Sequence, residues 1–193
     1  MKSKTPPRTK KKRFNSNCCL MWVAIIILFA AIIPLVTFRS QEEIITNVET
    51  INSDGARGRV FVAYQPGVSS FQTDMTYAFI EGLEENDWSI NVTTISSETP
   101  TNILGYDLFV IGSYTLGGKP TENVIEYLNH LGNLNHLEVA IVMTSGASEN
   151  SLAFLKDVIN ELNGTIIKSI MLSTLVHGIN GWELSYQAGK SII

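Results

Sequence analysis

"YDLFVIGSYTLGGKPTENVIEYL", residues 106–128, decides the fold. It opens with an apolar run rich in β-branched and aromatic residues. It closes with Val124, Ile125 and Leu128, joined by Leu131, on one face at helical spacing. Between them "SYTLGGKP" carries paired glycines and a proline. The stretch reads as a strand over 106–113, a glycine-bearing loop, and a helix over 119–131 with Pro120 in its first turn. An apolar strand leading at once into an amphipathic helix is the repeating unit of a parallel sheet.

The same alternation continues on both sides. "RVFVAY" (59–64) is a strand buried on both faces, and "SSFQTDMTYAFIEGLEEN" (69–86) sets Phe71, Met75, Phe79 and Leu83 at intervals of four with Ser69 or Ser70 placed to cap the helix. "WSINVTTI" (88–95) alternates as a sheet-edge strand does, and "SSETPTNILG" is too short for a crossover helix. "LEVAIVMTS" (137–145) is the fourth strand, "SENSLAFLKDVINELNG" (148–164) a helix stopped by Asn163 and Gly164, and "TIIKSIML" (165–172) the fifth strand. "WELSYQAGKSII" ends the chain as a helix, with Trp182 and Tyr186 expected to pack it onto the sheet. Five strands alternating with helices imply an α/β domain with a doubly wound five-stranded parallel sheet. Ligands of such sheets lie outside the carboxyl ends of the strands, where strand order reverses.

The remaining third of the chain has a different character. Residues 20–38, "LMWVAIIILFAAIIPLVTF", contain 19 residues and no formal charge, enough at about 1.5 Å per residue to cross a hydrocarbon layer of about 30 Å. They read as one transmembrane helix, and "PLVTFRSQEE" has no small-residue site of the kind that ends a cleaved signal peptide. The preceding tail, 1–19, holds seven of the 14 basic residues and no acid, so the positive-inside rule places the N-terminus in the cytoplasm and the C-terminal domain outside. Residues 39–58 read as a polar juxtamembrane linker, with one helical turn in "EEIITNVETI", and residues 59–193 as the folded domain. Beyond the apolar stretch, seven cations face 18 acids, a net charge of −11 that argues against nucleic acid as a partner.

The only cysteines, Cys18 and Cys19, precede the apolar run, so the folded domain has no disulfide, thiolate nucleophile or cysteine metal site. His130, His136 and His177 have no ligand spacing with a carboxylate, and no catalytic Ser-His-Asp or Cys-His pattern is legible. No metal and no catalytic residue is expected. Asn91 and Asn163 each begin a glycosylation acceptor triplet.

Three loops fall at the carboxyl ends of central strands. The first, "QPGVSSFQT" (65–73), offers Gly67, Ser69, Ser70 and Thr73 before a helix, which suits either a phosphate cradle or an ordinary cap and turn. The second carries Tyr114 and Thr115 beside Gly117 and Gly118, letting backbone and an aromatic face approach a flat ligand. The third, "TSGASENS", is small and polar around Ser145, Gly146 and Ala147.

Taken together, "RVFVAYQPG", "YDLFVIGSYTLGGKPTENVIEYL", "VAIVMTSGASENSLAFLKDVINELNGTII" and "SYQAGKSI" resemble the flavodoxin family over residues 59–193. The resemblance implies strand order 2-1-3-4-5 and an FMN held by the three loops. It implies Gly67, Ser69, Ser70 and Thr73 at the phosphate, Tyr114, Thr115, Gly117 and Gly118 along the flavin, and Ser145, Gly146 and Ala147 past its other edge. The first loop departs from the family's compact "T-G-x-T" pattern, with Tyr77 four residues after Thr73 and with Asp74 close by. Two functions follow from these residues: a membrane-anchored FMN protein exchanging electrons with a redox partner protein or a quinone, or a flavin-free ectodomain of the same fold acting as an interaction or sensory module.

Overall fold

The computed structural model describes residues 21–30, 32, 43–145, 150–173, 176 and 180–193. The chain divides into two units, Met1–Arg39 and Ser40–Ile193. In the first, residues 21–30 and 32 are helical (α1), and Trp22, Ile26, Ile27 and Phe29 stand exposed. Among the described residues no helix is long and apolar enough to cross a membrane. The rest of the expected span, residues 20, 31 and 33–38, lies outside them.

The second unit is built in the order β1 (Glu49–Ile51), β2 (Gly58–Tyr64), α2 (Phe71–Glu84), β3 (Trp88–Thr94), β4 (Leu108–Leu116), β5 (Lys119–Pro120), α3 (Glu122–Leu131), β6 (Glu138–Thr144), α4 (Asn150–Glu161), β7 (Thr165–Leu172) and α5 (Asn180–Lys190). The sheet has seven strands rather than five, in the order β1-β3-β2-β4-β6-β7 with β5 paired to β4. The five strands read from sequence are all present and mutually parallel, and they stand in the expected order.

The two additional strands have local causes. β1 arises where a linker with a helical turn was expected, pairing antiparallel with β3. Without it β3 would be an exposed edge, and a row of unpaired backbone groups is a liability that proteins cover. The segment before it continues the cover: Thr94 N donates to Thr46 Oγ1 at 3.0 Å, Thr93 Oγ1 donates to Thr46 O at 3.0 Å, and Thr94 Oγ1 reaches Ile44 O. β5 arises because Gly117 (φ 60°) and Gly118 (φ 81°) both take left-handed backbone, the requirement of a two-residue hairpin turn between twisted strands. Pro120 therefore lies in a strand, and α3 starts at Glu122 instead of 119.

The alternation of strand side chains divides the core between two faces. Val60, Val62, Leu108, Val110, Ala140 and Val142 pack with Met75, Phe79, Leu83 and Ala188 of α2 and α5. Phe61, Ala63, Phe109, Ile111, Ile141 and Met143 pack with Val124, Leu128, Leu155 and Ile159 of α3 and α4. Burial on both faces explains the nearly unbroken apolar runs of these strands.

α2 and α5 meet at their backbones. A Cβ on Gly82 would overlap the Tyr186 carbonyl, and one on Gly189 would overlap the Phe79 carbonyl. Trp182 and Tyr186, expected against the sheet, instead stack on each other on the outer side of α5 (centroids 5.3 Å, 9° between planes), with Trp182 exposed. Gly181, Ser185, Ala188 and Gly189 are the buried face. Helices approaching this closely can bury only small residues, so the aromatic pair is left outside.

Candidate functional site

The site expected at the sheet's carboxyl end is built around the adjacent ends of β2 and β4, which pair in parallel. Strand order reverses here: β2 leads by α2 to β3 on one side, and β4 leads by α3 to β6 on the other. Gln65, the first residue after β2, donates its N–H to Gly112 O across 2.9 Å. Gly112 is required there, because a Cβ would overlap that of Tyr64. Gln65 is 1% exposed, and its Oε1 is buried with no hydrogen-bond partner. A buried acceptor left unpaired costs about 1–3 kcal/mol, so it calls for a donor, which a water or a bound molecule can supply.

The first and second loops meet at Gly67. A Cβ added there would lie 3.7 Å from Tyr114 Cδ1, 3.6 Å from Gln72 Cβ and 3.4 Å from Ser69 O. Tyr114 is mostly buried, and it pairs in register with Thr144 of β6. Thr115 lies opposite Pro120 in the β4–β5 hairpin. Gly117 is exposed at the turn, with nothing within 4 Å of where its Cβ would be. Ser145 is buried, and its N–H donates to Leu172 O at 2.8 Å. Gly146 and Ala147 lie outside the described residues, as does His177.

Both serine hydroxyls that the resemblance assigns to a phosphate already have internal partners. Ser70 Oγ donates to Asp74 Oδ2 at 2.9 Å, and Ser69 Oγ accepts from Phe71 N at 3.4 Å. Ser70 occupies the N-cap position of α2 in right-handed helical backbone and makes no capping bond with its side chain. Asp74 supplies the negative charge in the first turn that a helix N-terminus favours.

Beneath this loop lies a buried network with no counterpart in the sequence reading. Gln72 is 1% exposed. Its Nε2 donates to Val142 O at 3.2 Å and Thr76 Oγ1 at 3.1 Å, and its Oε1 accepts from Thr144 Oγ1 at 2.7 Å. In the helical reading Gln72 was one polar residue among several, and only the docking of α2 over β6 shows which polar positions face inward. Beside it, Tyr77 donates to Glu49 Oε2 at 3.1 Å and meets Tyr64 edge-on at 6.2 Å. Burial, the neighbouring phenol and Glu49 hold the Tyr77 hydroxyl well above the ordinary tyrosine value, and burial also raises Tyr64.

Clefts also lie elsewhere among the described residues. One of about 500 Å³ opens near Asp107 and Glu138, at the opposite end of β4 and β6. One of about 270 Å³ lies between Glu43, Ser97 and the Asn123–His130 face of α3. Among the described residues, no group of three metal-ligating side chains is assembled.

The architecture defines an α/β protein with a flavodoxin-like fold, and solved structures agree. The chain superposes on a flavodoxin of Megasphaera elsdenii with a TM-score of 0.58 and 16% identity, over 68% of this chain and 99% of that one. An NAD(P)H:quinone oxidoreductase from Methanothermobacter marburgensis gives 0.56 and 13%, over 71% and 98%. The Flv1 flavodiiron core from Synechocystis gives 0.61 and 13%, with 72% of this chain matching 36% of that much longer one. At these identities the likeness concerns the fold. No protein-family model matches the chain, nor does any curated protein sequence.

Proposed function

We propose that this chain is a membrane-anchored flavodoxin-like flavoprotein that holds FMN non-covalently at the carboxyl end of its sheet and exchanges electrons with a partner protein or a quinone. The observation that carries the reading is Gln65, whose side-chain carbonyl is buried and unpaired at the switch point. An N–H or O–H donor on a bound ligand would satisfy it. Around it the residues suit a flat ring: Gly67 keeps the first loop thin, Tyr114 supplies an aromatic ring, and Gly117 in the hairpin turn has open space beside it.

Bound flavin would supply the one- or two-electron chemistry. The chain's part is to orient the ring and to exclude water from it. Gln65 would fix one edge, Tyr114 would cover a face, and the 114–120 hairpin would border the ring. The basic tail, the uncharged stretch over 20–38 and the exposed apolar side chains of α1 support a single-pass anchor with the folded domain outside the cytoplasm.

A second reading, a flavin-free domain of the same fold acting as an interaction or sensory module, draws on the internal partners of Ser69 and Ser70. Colour separates the two. The purified full chain, as isolated or after addition of FMN and removal of excess, is expected to carry flavin absorbance. A colourless protein that also fails to quench flavin fluorescence would leave the second reading standing.

A further inference from the structure

The N-terminus of α2 faces the first loop of the site, and its charge requirement is met from within the chain. Asp74 lies in the first turn, its Oδ2 accepts from Ser70 Oγ at 2.9 Å, and its N–H donates to Ser70 O at 2.8 Å. Residues 65–74, "QPGVSSFQTD", contain no lysine or arginine to offset a second anion. The ring end of the same loop is different, because Gln65 there keeps a buried acceptor unpaired and ready for a donor.

We propose that Asp74 occupies the charge position a phosphate would take, so that the site grips a flavin by its ring and ribityl end and does not select FMN over riboflavin. The proposal rests on the flavin reading above and assigns Asp74 as its specificity-determining residue. The physical argument has two parts. A carboxylate in the first helical turn already satisfies the positive end of the dipole, so a phosphate gains little there. A phosphate dianion drawn to the same amides would also meet a like charge and would have to displace the Ser70 hydroxyl. The ring and the ribityl hydroxyls carry no negative charge and meet no such repulsion from Asp74.

The test is a fluorescence-quenching titration of the full chain with FMN and with riboflavin, in the wild type and in Asp74→Asn. The wild type is expected to bind the two flavins within about threefold of each other, whereas Asp74→Asn should tighten FMN by about tenfold or more and leave riboflavin unchanged. A wild type preferring FMN by about a hundredfold, or an Asp74→Asn variant with an unaltered ratio, would overturn the proposal. A parallel titration with inorganic phosphate, read from the amide resonances of residues 71–74, needs no flavin. Shifts in Asp74→Asn alone are expected, and equal shifts in both proteins, or none in the variant, would overturn the assignment of Asp74. If neither flavin binds either protein, the flavin reading fails, and the phosphate arm still decides what Asp74 does.

Discussion

The Thr144 hydroxyl donates to Gln72 Oε1 across 2.7 Å, tying the first turns of α2 to the carboxyl end of β6. Both residues are buried, and Gln72 Nε2 completes the link through Val142 O and Thr76 Oγ1. This network fixes how α2 lies over the switch point, and hence where Gln65 and the loop before the helix stand.

Gln72→Ala is therefore expected to destabilise the domain by about 2–3 kcal/mol, since it opens a cavity and strands the Thr144 hydroxyl. In a double-mutant cycle with Thr144→Val, urea unfolding should give a coupling energy of about 1 kcal/mol. Strict additivity would mean that the two side chains act independently.

Gln65 is predicted to behave in the opposite way. Gln65→Met removes an unpaired buried acceptor at nearly constant volume, so the flavin-free protein should gain about 1 kcal/mol in stability. Flavin affinity should fall by about tenfold, the trade expected where a binding group is held in an unfavourable state. A loss of stability on substitution would show that the glutamine is structural.

The backbone contact between α2 and α5 makes two glycines sensitive for steric reasons. Gly82→Ala and Gly189→Ala each place a methyl against a carbonyl, and each should cost about 2–3 kcal/mol in thermal or chemical denaturation. Gly117→Ala provides the contrast. Its Cβ meets nothing, so only the left-handed backbone at φ 60° is disfavoured, at about 1 kcal/mol.

Alkaline pH should unfold the domain. Burial raises the hydroxyl of Tyr127, which donates to Pro100 O at 2.7 Å, far above the ordinary 10.0. A group bound more tightly to its proton in the folded state stabilises fully below its unfolded value, and that contribution falls away as pH climbs past 10. Stability should therefore be flat through neutrality and decline above about pH 10. Tyr127→Phe should lower stability by about 1 kcal/mol at pH 7 and make the alkaline decline shallower. An unchanged slope in denaturation curves between pH 9 and 11 would assign the effect to other groups.

The five parallel strands were legible because burial writes itself into local sequence as β-branched apolar runs, most plainly in residues 59–64 where both faces are covered, whereas their order came from the family resemblance. β1 was not legible. Three residues, "ETI", have no periodicity of their own, and they form a strand only because the outer edge of β3 is there to pair with. The exposed stack of Trp182 on Tyr186 was misplaced for a related reason. Aromatic character suggested burial, whereas the closeness of α5 to α2 admits only small side chains.

At the candidate site the division is similar. Periodicity and spacing located three loops, and the family resemblance then assigned Gly67, Ser69, Ser70, Thr73 and Tyr114 to a flavin site. Helical and strand periodicity, being local, determined the class of fold and the end of the sheet that matters. Hydrogen-bond partners are set by groups brought together from distant parts of the chain. Only the tertiary structure could decide that Gln72 reaches Thr144 from 72 residues away, and that Gln65 Oε1 is left without a donor.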